Sequence, residues 1–442
     1  MSISTQISWA LVALLVVSAP AGAQLGPGLG GGLSGLGSGT NRPGYRGAAP
    51  VNFHFGLGVM GVYDTGFLAA FLRPGGINET LNLYGAQAFA VASGSHSWRH
   101  SLLGLEYRGE FRRYSERVFQ TGNDHALALQ YNTQLGPRWS FSLQQNAGSA
   151  TRGFGSIAAP VVIDQPGIPA QELFNNRFYW AQSVAAAEYR FSPRLSAQMV
   201  GGGFTVRRKP ASLVGTYGGI ASGSLSYLLD ARQSVGLNYT FSNFIYTGIT
   251  ADSVLHGLLA TYKRRITRRL SAHLGGGAYS LESLATTAVV LDPEVAAILG
   301  TDRGLRLQHR LNVISAFEAG VDYAKNRQAF RISARRGVLP GNGLILAAVQ
   351  EAGTVGYDYT ASRRFSFYLQ GQYMKLTSQL QDLNSKTLQA GGGMSYSLRR
   401  NWSLTATALW RSFSIGPIRS QNGTRATLGI AYNSADYPLS FW

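Results

Sequence analysis

The feature that most constrains this chain is a short turn that returns along nearly its whole length. The turn places arginine beside serine, threonine, proline or asparagine, and a hydrophobic residue follows at once. Its copies are GPRW at 136–139, SPRL at 192–195, TRRL at 267–270, SRRF at 362–365 and RRNW at 399–402. Such a turn reverses one strand directly into the next. Strands of roughly a dozen residues, joined alternately by these turns and by longer polar loops, predict an up-and-down antiparallel β-meander.

The repeat favours one large sheet over several small domains. No run of about 18 apolar residues, the length of a membrane-spanning helix, occurs in the 442 residues, and the 45% hydrophobic content is dispersed. We count eighteen candidate strands between residues 51 and 432. Eight short connections alternate with nine longer ones. The predicted strand centres are Phe55, Phe89, Tyr107, Leu129, Leu143, Ala185, Val200, Gly223, Tyr239, Leu259, Leu274, Phe317, Ile332, Val355, Leu369, Gly392, Ala406 and Leu428.

The strands alternate apolar and polar side chains, which indicates that their two faces meet different surroundings. In one example, Leu105, Tyr107 and Phe111 alternate with charged residues at the even positions from 106 to 112. A soluble β-sandwich would show the same period of two. Charges at mid-strand favour a membrane barrel, because a wide aqueous lumen needs no pairing of them, whereas a charge facing lipid costs about 2 to 4 kcal/mol. The sequence therefore predicts an all-β, transmembrane antiparallel barrel of about 18 strands over residues 51–442.

The first fifty residues read as two segments that precede the barrel. Residues 1–23 are predicted to be a signal peptide, because an apolar run at 10–17 is followed by Ala21-Gly22-Ala23, an A-x-A cleavage pattern. Residues 24–50 are rich in glycine and are predicted to form a flexible leader. The expected location is the outer membrane, reached by export.

Charge and sulfur content exclude several classes of function. The formal net charge is +18, but the basic residues are scattered and form no dense run, so no nucleic-acid partner is expected. Many arginines lie in the short turns, where they either contact anionic lipid head groups or are simply solvated. With no cysteine, the chain has no thiolate metal site and no thiol nucleophile.

Aromatic residues lie near the predicted strand ends, where interfacial girdles would be, and the chain closes with Phe441-Trp442. In these features it resembles bacterial outer-membrane β-barrel proteins of the general porin type. The resemblance implies that Phe441 and Trp442 are an assembly signal for the barrel-assembly machinery. Two departures are Trp442, where phenylalanine is usual, and Pro438, which interrupts the alternation, so that the last membrane strand is expected to stop near Tyr432.

The strand phase also predicts which charged side chains line the lumen. Adjacent acids and arginines on that face would set a transverse field, and a slight basic excess would favour anions. The alternative is that these pairs only solvate the wall. The predicted lumen-lining residues are Glu106, Arg108, Glu110, Arg112, Glu188, Arg190, Arg310, Glu318, Asp322, Arg331, Arg335, Asp358 and Arg425.

The candidate constriction is one of the two longest predicted loops, 153–176 and 281–304, either of which could instead be an ordinary surface excursion. No catalytic residue, cofactor or metal site is predicted, because the seven histidines form no paired-ligand spacing and no HExxH motif.

We therefore expect a non-enzymatic, porin-like channel, monomeric or trimeric, that contacts outer-membrane lipid and passes small polar solutes with a mild anion preference. The alternatives are the barrel of an envelope secretion or exopolysaccharide-export system, or a closed structural barrel.

Overall fold

The computed structural model describes most of the predicted barrel. The described residues are 51–66, 81–115, 122–152, 176–209, 213–290, 292, 294, 297–298, 300–380, 383–416, 421–434 and 437–439. The predicted signal peptide and leader lie outside them. No helix in this part of the chain is long and apolar enough to cross a membrane.

Nineteen strands form one antiparallel sheet. Each of the eighteen predicted centres lies in a separate strand, so the predicted number of long strands is confirmed. The connection between the ninth and tenth strands, predicted to be a longer one, spans only residues 248–250. The strands are β1 (Val51–Gly66), β2 (Leu81–Ser97), β3 (Ser101–Tyr114), β4 (Gly122–Gln134), β5 (Trp139–Arg152), β6 (Asn176–Arg190), β7 (Leu195–Arg208), β8 (Gly215–Asp230), β9 (Gln233–Thr247), β10 (Ala251–Arg265), β11 (Leu270–Val290), β12 (Arg303–Lys325), β13 (Gln328–Gly341), β14 (Leu346–Thr360), β15 (Phe365–Ser378), β16 (Asn384–Ser397), β17 (Trp402–Ile415), β18 (Gln421–Asn433) and β19 (Tyr437–Leu439).

The first and last strands close the sheet into a barrel. β1 pairs with β2 on one side and with β18 on the other, from Gly56 opposite Asn433 to Asp64 opposite Arg425. The short β19 continues past the end of β18 and pairs with the first residues of β1, where Pro438 lies opposite Asn52. The barrel therefore has eighteen strands around its circumference. The prediction that the last long strand ends near Tyr432 is confirmed.

The repeated turn has a common hydrogen-bonding pattern. In the β6–β7 turn the hydroxyl of Ser192 accepts hydrogen bonds from the backbone N–H groups of Arg194 (3.2 Å) and Leu195 (3.0 Å). Thr267 and Ser362 do the same for the two residues at the corresponding positions of their turns. A serine or threonine hydroxyl thus satisfies the donors that a tight reversal leaves free. This explains why the hydroxyl residue and the following arginine recur together.

The two faces of the wall differ sharply in exposure. The outer face carries large apolar side chains, such as Leu105 (45% exposed), Leu369 (56%) and Leu428 (58%). On the inner face several charged side chains are buried, as with Arg112 (1%) and Arg425 (4%). Because an apolar surface this extensive is stable only against hydrocarbon, the prediction of a transmembrane barrel over a sandwich is confirmed.

Aromatic rings border this outer face at the rim with the short turns. Trp139 packs against Tyr189 with ring centroids 4.6 Å apart, and Trp402 packs against Tyr432 at 5.1 Å. Such rings suit the boundary between hydrocarbon and lipid head groups. Arginines of the short turns lie at the same rim and are exposed; they are Arg138, Arg194, Arg268, Arg269, Arg363, Arg364, Arg399 and Arg400.

One predicted loop is wrong in its bounds. Residues 281–290 and 303–304 belong to the long strands β11 and β12, which remain paired as far as Val290 opposite Arg303. Buried and more exposed side chains still alternate along the first part of this stretch, but its alanines and threonines obscure that alternation in the sequence. Of the other predicted long loop, 153–176, residue 176 is the first of β6 and residues 153–175 lie outside the described residues.

Candidate functional site

In the half of the lumen near the short turns, part of the wall is polar and uncharged. The inner faces of β5, β8, β9 and β15 carry serine, threonine, asparagine and glutamine side chains that are partly exposed. The residues are Ser140, Ser142, Gln144, Asn146, Ser222, Ser224, Ser226, Ser234, Asn238, Thr240, Gln370 and Gln372. These groups can exchange hydrogen bonds with water, so this half of the lumen suits an aqueous filling.

The other half contains a hairpin that folds into the barrel. The β12–β13 ladder ends where Phe317 lies opposite Arg336, whereas the β14–β15 ladder continues to Ala348 opposite Ser378. Beyond Arg336, β13 leaves the wall and carries residues 337–347 into the lumen. The predicted constriction is therefore formed by this hairpin in the described part of the chain, and not by residues 281–290.

The hairpin tip is a tight turn whose conformation follows from its residues. Gly341 and Gly343 have φ values of 96° and 88°, a backbone region that favours glycine. The side-chain oxygen of Asn342 accepts hydrogen bonds from the N–H groups of Leu344 (3.2 Å) and Ile345 (2.9 Å). An Asn-Gly pair between two apolar strands is a strong hairpin signal, so PGNG at 340–343 was the clue to this element.

Three hydrogen bonds anchor the hairpin to β9 and to the residue just before β8. The hydroxyl of the buried Tyr246 on β9 donates to the backbone oxygen of Pro340 (3.0 Å) and accepts from the backbone N–H of Ala347 (2.8 Å). At the tip, the N–H of Val214, just before β8, donates to the backbone oxygen of Gly343 (3.0 Å). The hairpin therefore crosses part of the lumen and is held at both of its strands and at its tip.

An apolar cluster fills the space between the hairpin and the inner faces of β7 and β9 to β12. Phe244 (1% exposed) and Leu281 (0%) from the wall meet Leu346 (3%) and Ala347 (0%) from the hairpin. A second cluster joins Ile345 to the inner faces of β15 and β17. The hairpin is thus packed on both sides, and this half of the barrel is the narrower one.

The inner faces of β1 to β4, β17 and β18 form a charged wall at the level of the hairpin. Arg112 on β3 forms ion pairs with Glu110 (3.1 Å) and Asp124, and donates to the backbone oxygen of Thr151 (2.7 Å). Across the closure of the barrel, Arg425 on β18 donates to Gln87 on β2 at 2.6 Å.

The same wall continues on either side of Arg425. Asp64 lies directly opposite it on β1, and Arg411 is buried on β17. Nearer the short turns, Arg108 pairs with Glu106. Sequence analysis identified Glu106, Arg108, Glu110, Arg112 and Arg425 as facing inward but missed Asp64, Gln87, Asp124 and Arg411, although the same alternation extends to them.

A second charged group lies on the inner faces of β12 to β14. Arg331 pairs with Asp358 at 3.2 Å and lies opposite Asp322 on β12. Arg335, four residues further along the same inner face of β13, lies opposite Glu318. Each acid in this group therefore has an arginine on a neighbouring strand.

The structure places the remaining predicted lumen residues near the two rims. Arg190 and Glu188 form a pair at 3.1 Å on the inner face of β6, close to its short turn, and Arg190 is 59% exposed. Arg310 lies on β12 beyond the point where β13 leaves the wall, and donates to the backbone oxygen of Gln379 at 3.2 Å. Phe441 and Trp442, the predicted assembly signal, lie outside the described residues.

The described residues include no group of three or more histidine, aspartate or glutamate side chains that could hold a metal ion. On the outer face Tyr107 lies 2.8 Å from His125, Tyr239 lies 2.8 Å from His256, and His309 lies 2.7 Å from Glu282.

Comparison with known proteins finds similarity only among solved structures. No protein-family model matches the chain, and no curated protein matches it. The ferric-catecholate import receptor Fiu of Escherichia coli K12 matches with a TM-score of 0.45 and 9% identity, covering 88% of this chain and 82% of that one. The outer membrane protein OpdK of Pseudomonas aeruginosa matches with a TM-score of 0.41 and 11% identity, covering 86% of this chain and 99% of that one. OccAB4 of Acinetobacter baumannii matches with a TM-score of 0.43 and 10% identity, covering 88% of this chain and 98% of that one. Its own closed sheet and apolar outer face show that the chain has the fold of a transmembrane antiparallel β-barrel of eighteen strands.

Proposed function

We propose that this protein is an outer-membrane channel for the passive diffusion of small hydrophilic solutes, with a mild preference for anions. The observation that carries the proposal is the contrast between an apolar outer face and an inner face lined with partly exposed polar side chains. Eighteen strands enclose a lumen wider than side chains alone can fill. Transport is then a property of the lumen, and no catalytic step is required.

The hairpin of residues 337–347 would act as the size filter. It occupies the narrow half of the barrel and faces the wall that carries Arg112, Arg411 and Arg425. The acids Asp64, Glu110 and Asp124 lie on the same wall, so the charges nearly balance. A solute passing this level meets charges of both signs, which favours polar and ionic molecules over apolar ones.

The direct test is single-channel recording in a planar lipid bilayer, on refolded protein that begins at residue 24. We expect stable conductance steps and, under a salt gradient, a reversal potential that shows mild anion preference. Silence from protein that is demonstrably folded and inserted would refute diffusion and would indicate a closed structural barrel or one opened by a partner.

Reversing the charge of Arg331 is expected to weaken the anion preference. Arg331 faces the lumen, is 45% exposed and pairs with Asp358. In Arg331→Glu the new carboxylate faces Asp322 and Asp358 in place of the arginine, so the anion-to-cation permeability ratio should fall roughly twofold. The ratio of Arg331→Gln should lie between those of the unchanged protein and Arg331→Glu. The measurement is the reversal potential in a salt gradient.

Arg194→Glu is the matched control for this change, because Arg194 is exposed in a short turn outside the lumen. Its reversal potential should equal that of the unchanged protein. An equal shift in both glutamate variants would show that overall charge, and not the lumen wall, sets the selectivity.

A further inference from the structure

A charged cluster lies among the apolar residues of the outer face. Arg336 on β13, Glu351 on β14, Lys375 on β15 and Lys386 on β16 are consecutive partners across four neighbouring strands. Their side chains share the face of Leu369 and Tyr373, because residues directly opposite each other in antiparallel strands point to the same side. We call these four residues the outer charged row.

Part of the row is held in place by ion pairs. Glu351 lies 3.5 Å from the Arg336 guanidinium and 3.7 Å from the Lys375 ammonium, and Arg336 also donates to the hydroxyl of Ser315 on β12 (2.8 Å). All three charged side chains remain about one-third exposed. Lys386 forms no ion pair with any other side chain in the described part of the chain. Three cations against one carboxylate leave the row with a positive excess.

The row lies where the apolar belt ends on the long-loop side. On β15 the outward positions run Phe367, Leu369, Gly371 and Tyr373 before Lys375. On β16, counted from the short turn, Leu388 is the last apolar outward residue, and Lys386 is the next outward residue beyond it. Both lysines therefore follow a full membrane-spanning set of outward residues and reach the level of lipid head groups.

Two observations indicate an anionic ligand. Lys375 and Lys386 are directly opposite each other, an arrangement of like charges that destabilises a strand pair unless an anion lies between them. Beside the row, β13 leaves the wall and β12 continues without it, presenting Leu311 (63% exposed) and Val313 (78%) on the outer face. A cationic row thus adjoins an exposed apolar strip at one border of the membrane.

We propose that the outer charged row binds the phosphate group of an anionic glycolipid in the membrane leaflet at the long-loop rim. Lys375 and Lys386 hold the phosphate between them, Glu351 keeps Lys375 and Arg336 in position, and the acyl chains lie along the apolar belt below. The site is on the lipid-facing side of the wall, so it does not depend on whether the lumen conducts.

The test is native mass spectrometry of the refolded barrel in detergent, titrated with bisphosphorylated lipid A. Removing both lysines in K375Q/K386Q should weaken lipid retention about 30-fold, as expected for the loss of two cations near a membrane surface. Fully dephosphorylated lipid A should bind the unchanged protein no better than it binds the variant.

The matched control is R113Q/R207Q, which removes two exposed, outward cations from strands β3 and β7 elsewhere on the barrel. It should retain lipid A as the unchanged protein does. Gel mobility before and after heating confirms that each variant is folded. The proposal would be overturned if K375Q/K386Q retained lipid A as well as the unchanged protein does, or if the control lost as much lipid A as K375Q/K386Q. So would binding of inorganic pyrophosphate as tight as that of lipid A, since the site would then be one for a soluble anion.

Discussion

Shortening the inward hairpin is expected to raise the single-channel conductance at least about twofold, because an 18-stranded barrel encloses an aqueous channel unless something fills it. In this variant, Asn-Gly replaces residues 340–347 and joins Leu339 to Ala348, which are already opposite each other in the β13–β14 ladder. A two-residue Asn-Gly connection suits such a pair and leaves the register of the remaining strands unchanged. The measurement is conductance in a planar bilayer.

The expected gain has a structural cause. The change removes Pro340 and Ala347, the backbone partners of the Tyr246 hydroxyl, and also Gly343, the partner of Val214. These hydrogen bonds are then lost, and of the β13 and β14 residues in the first apolar cluster only Val338 and Val349 remain. Larger solutes should then pass as well, which liposome-swelling rates with sugars of increasing size would show.

Leu344→Ser is the matched control for this variant. Leu344 lies at the same tip but is 37% exposed and belongs to neither apolar cluster, so its replacement should leave the conductance unchanged. If the shortened protein folds, inserts and conducts as the unchanged protein does, the hairpin is not the constriction.

Replacing Arg112 by methionine is expected to lower the free energy of unfolding by about 3 kcal/mol, the lower end of the cost of leaving buried carboxylates without their cation. The Arg112 side chain is 1% exposed and contacts Glu110, Asp124 and the backbone oxygen of Thr151. Methionine fills much of the same volume but neutralises neither acid. The measurement is urea-induced unfolding in lipid bilayers, followed by tryptophan fluorescence.

Arg108→Met, four residues earlier on the same inner face, is the matched control. Arg108 is 25% exposed and its ion pair is with one acid, Glu106, whereas Arg112 forms ion pairs with two. Its loss should therefore cost less than the loss of Arg112. A cost for Arg112 no larger than that for Arg108 would mean that the charged wall is solvated and does not act as a packed network.

The alternation of side chains let the sequence predict the wall of this barrel in detail. Strand positions, faces and turns depend on neighbours within a few residues: a period of two assigns each side chain to a face, and a hydroxyl beside arginine forms the turn. Arg335 and Arg336 show the strength of that rule. They are consecutive, and the structure places the first opposite Glu318 on the inner face and the second opposite Phe317 on the outer face.

Closure and the course of β13 were decided by the tertiary structure. Arg425 reaches Gln87 from 338 positions away only because β18 closes against β1. Local alternation would equally have kept β13 in the wall beyond Arg336. The hairpin turns inward because Val338, Leu346 and Ala347 can be buried against Phe244 and Leu281, which no local pattern places nearby. The sequence by itself thus determined the strands and their faces, while long-range burial of apolar surface determined what occupies the lumen.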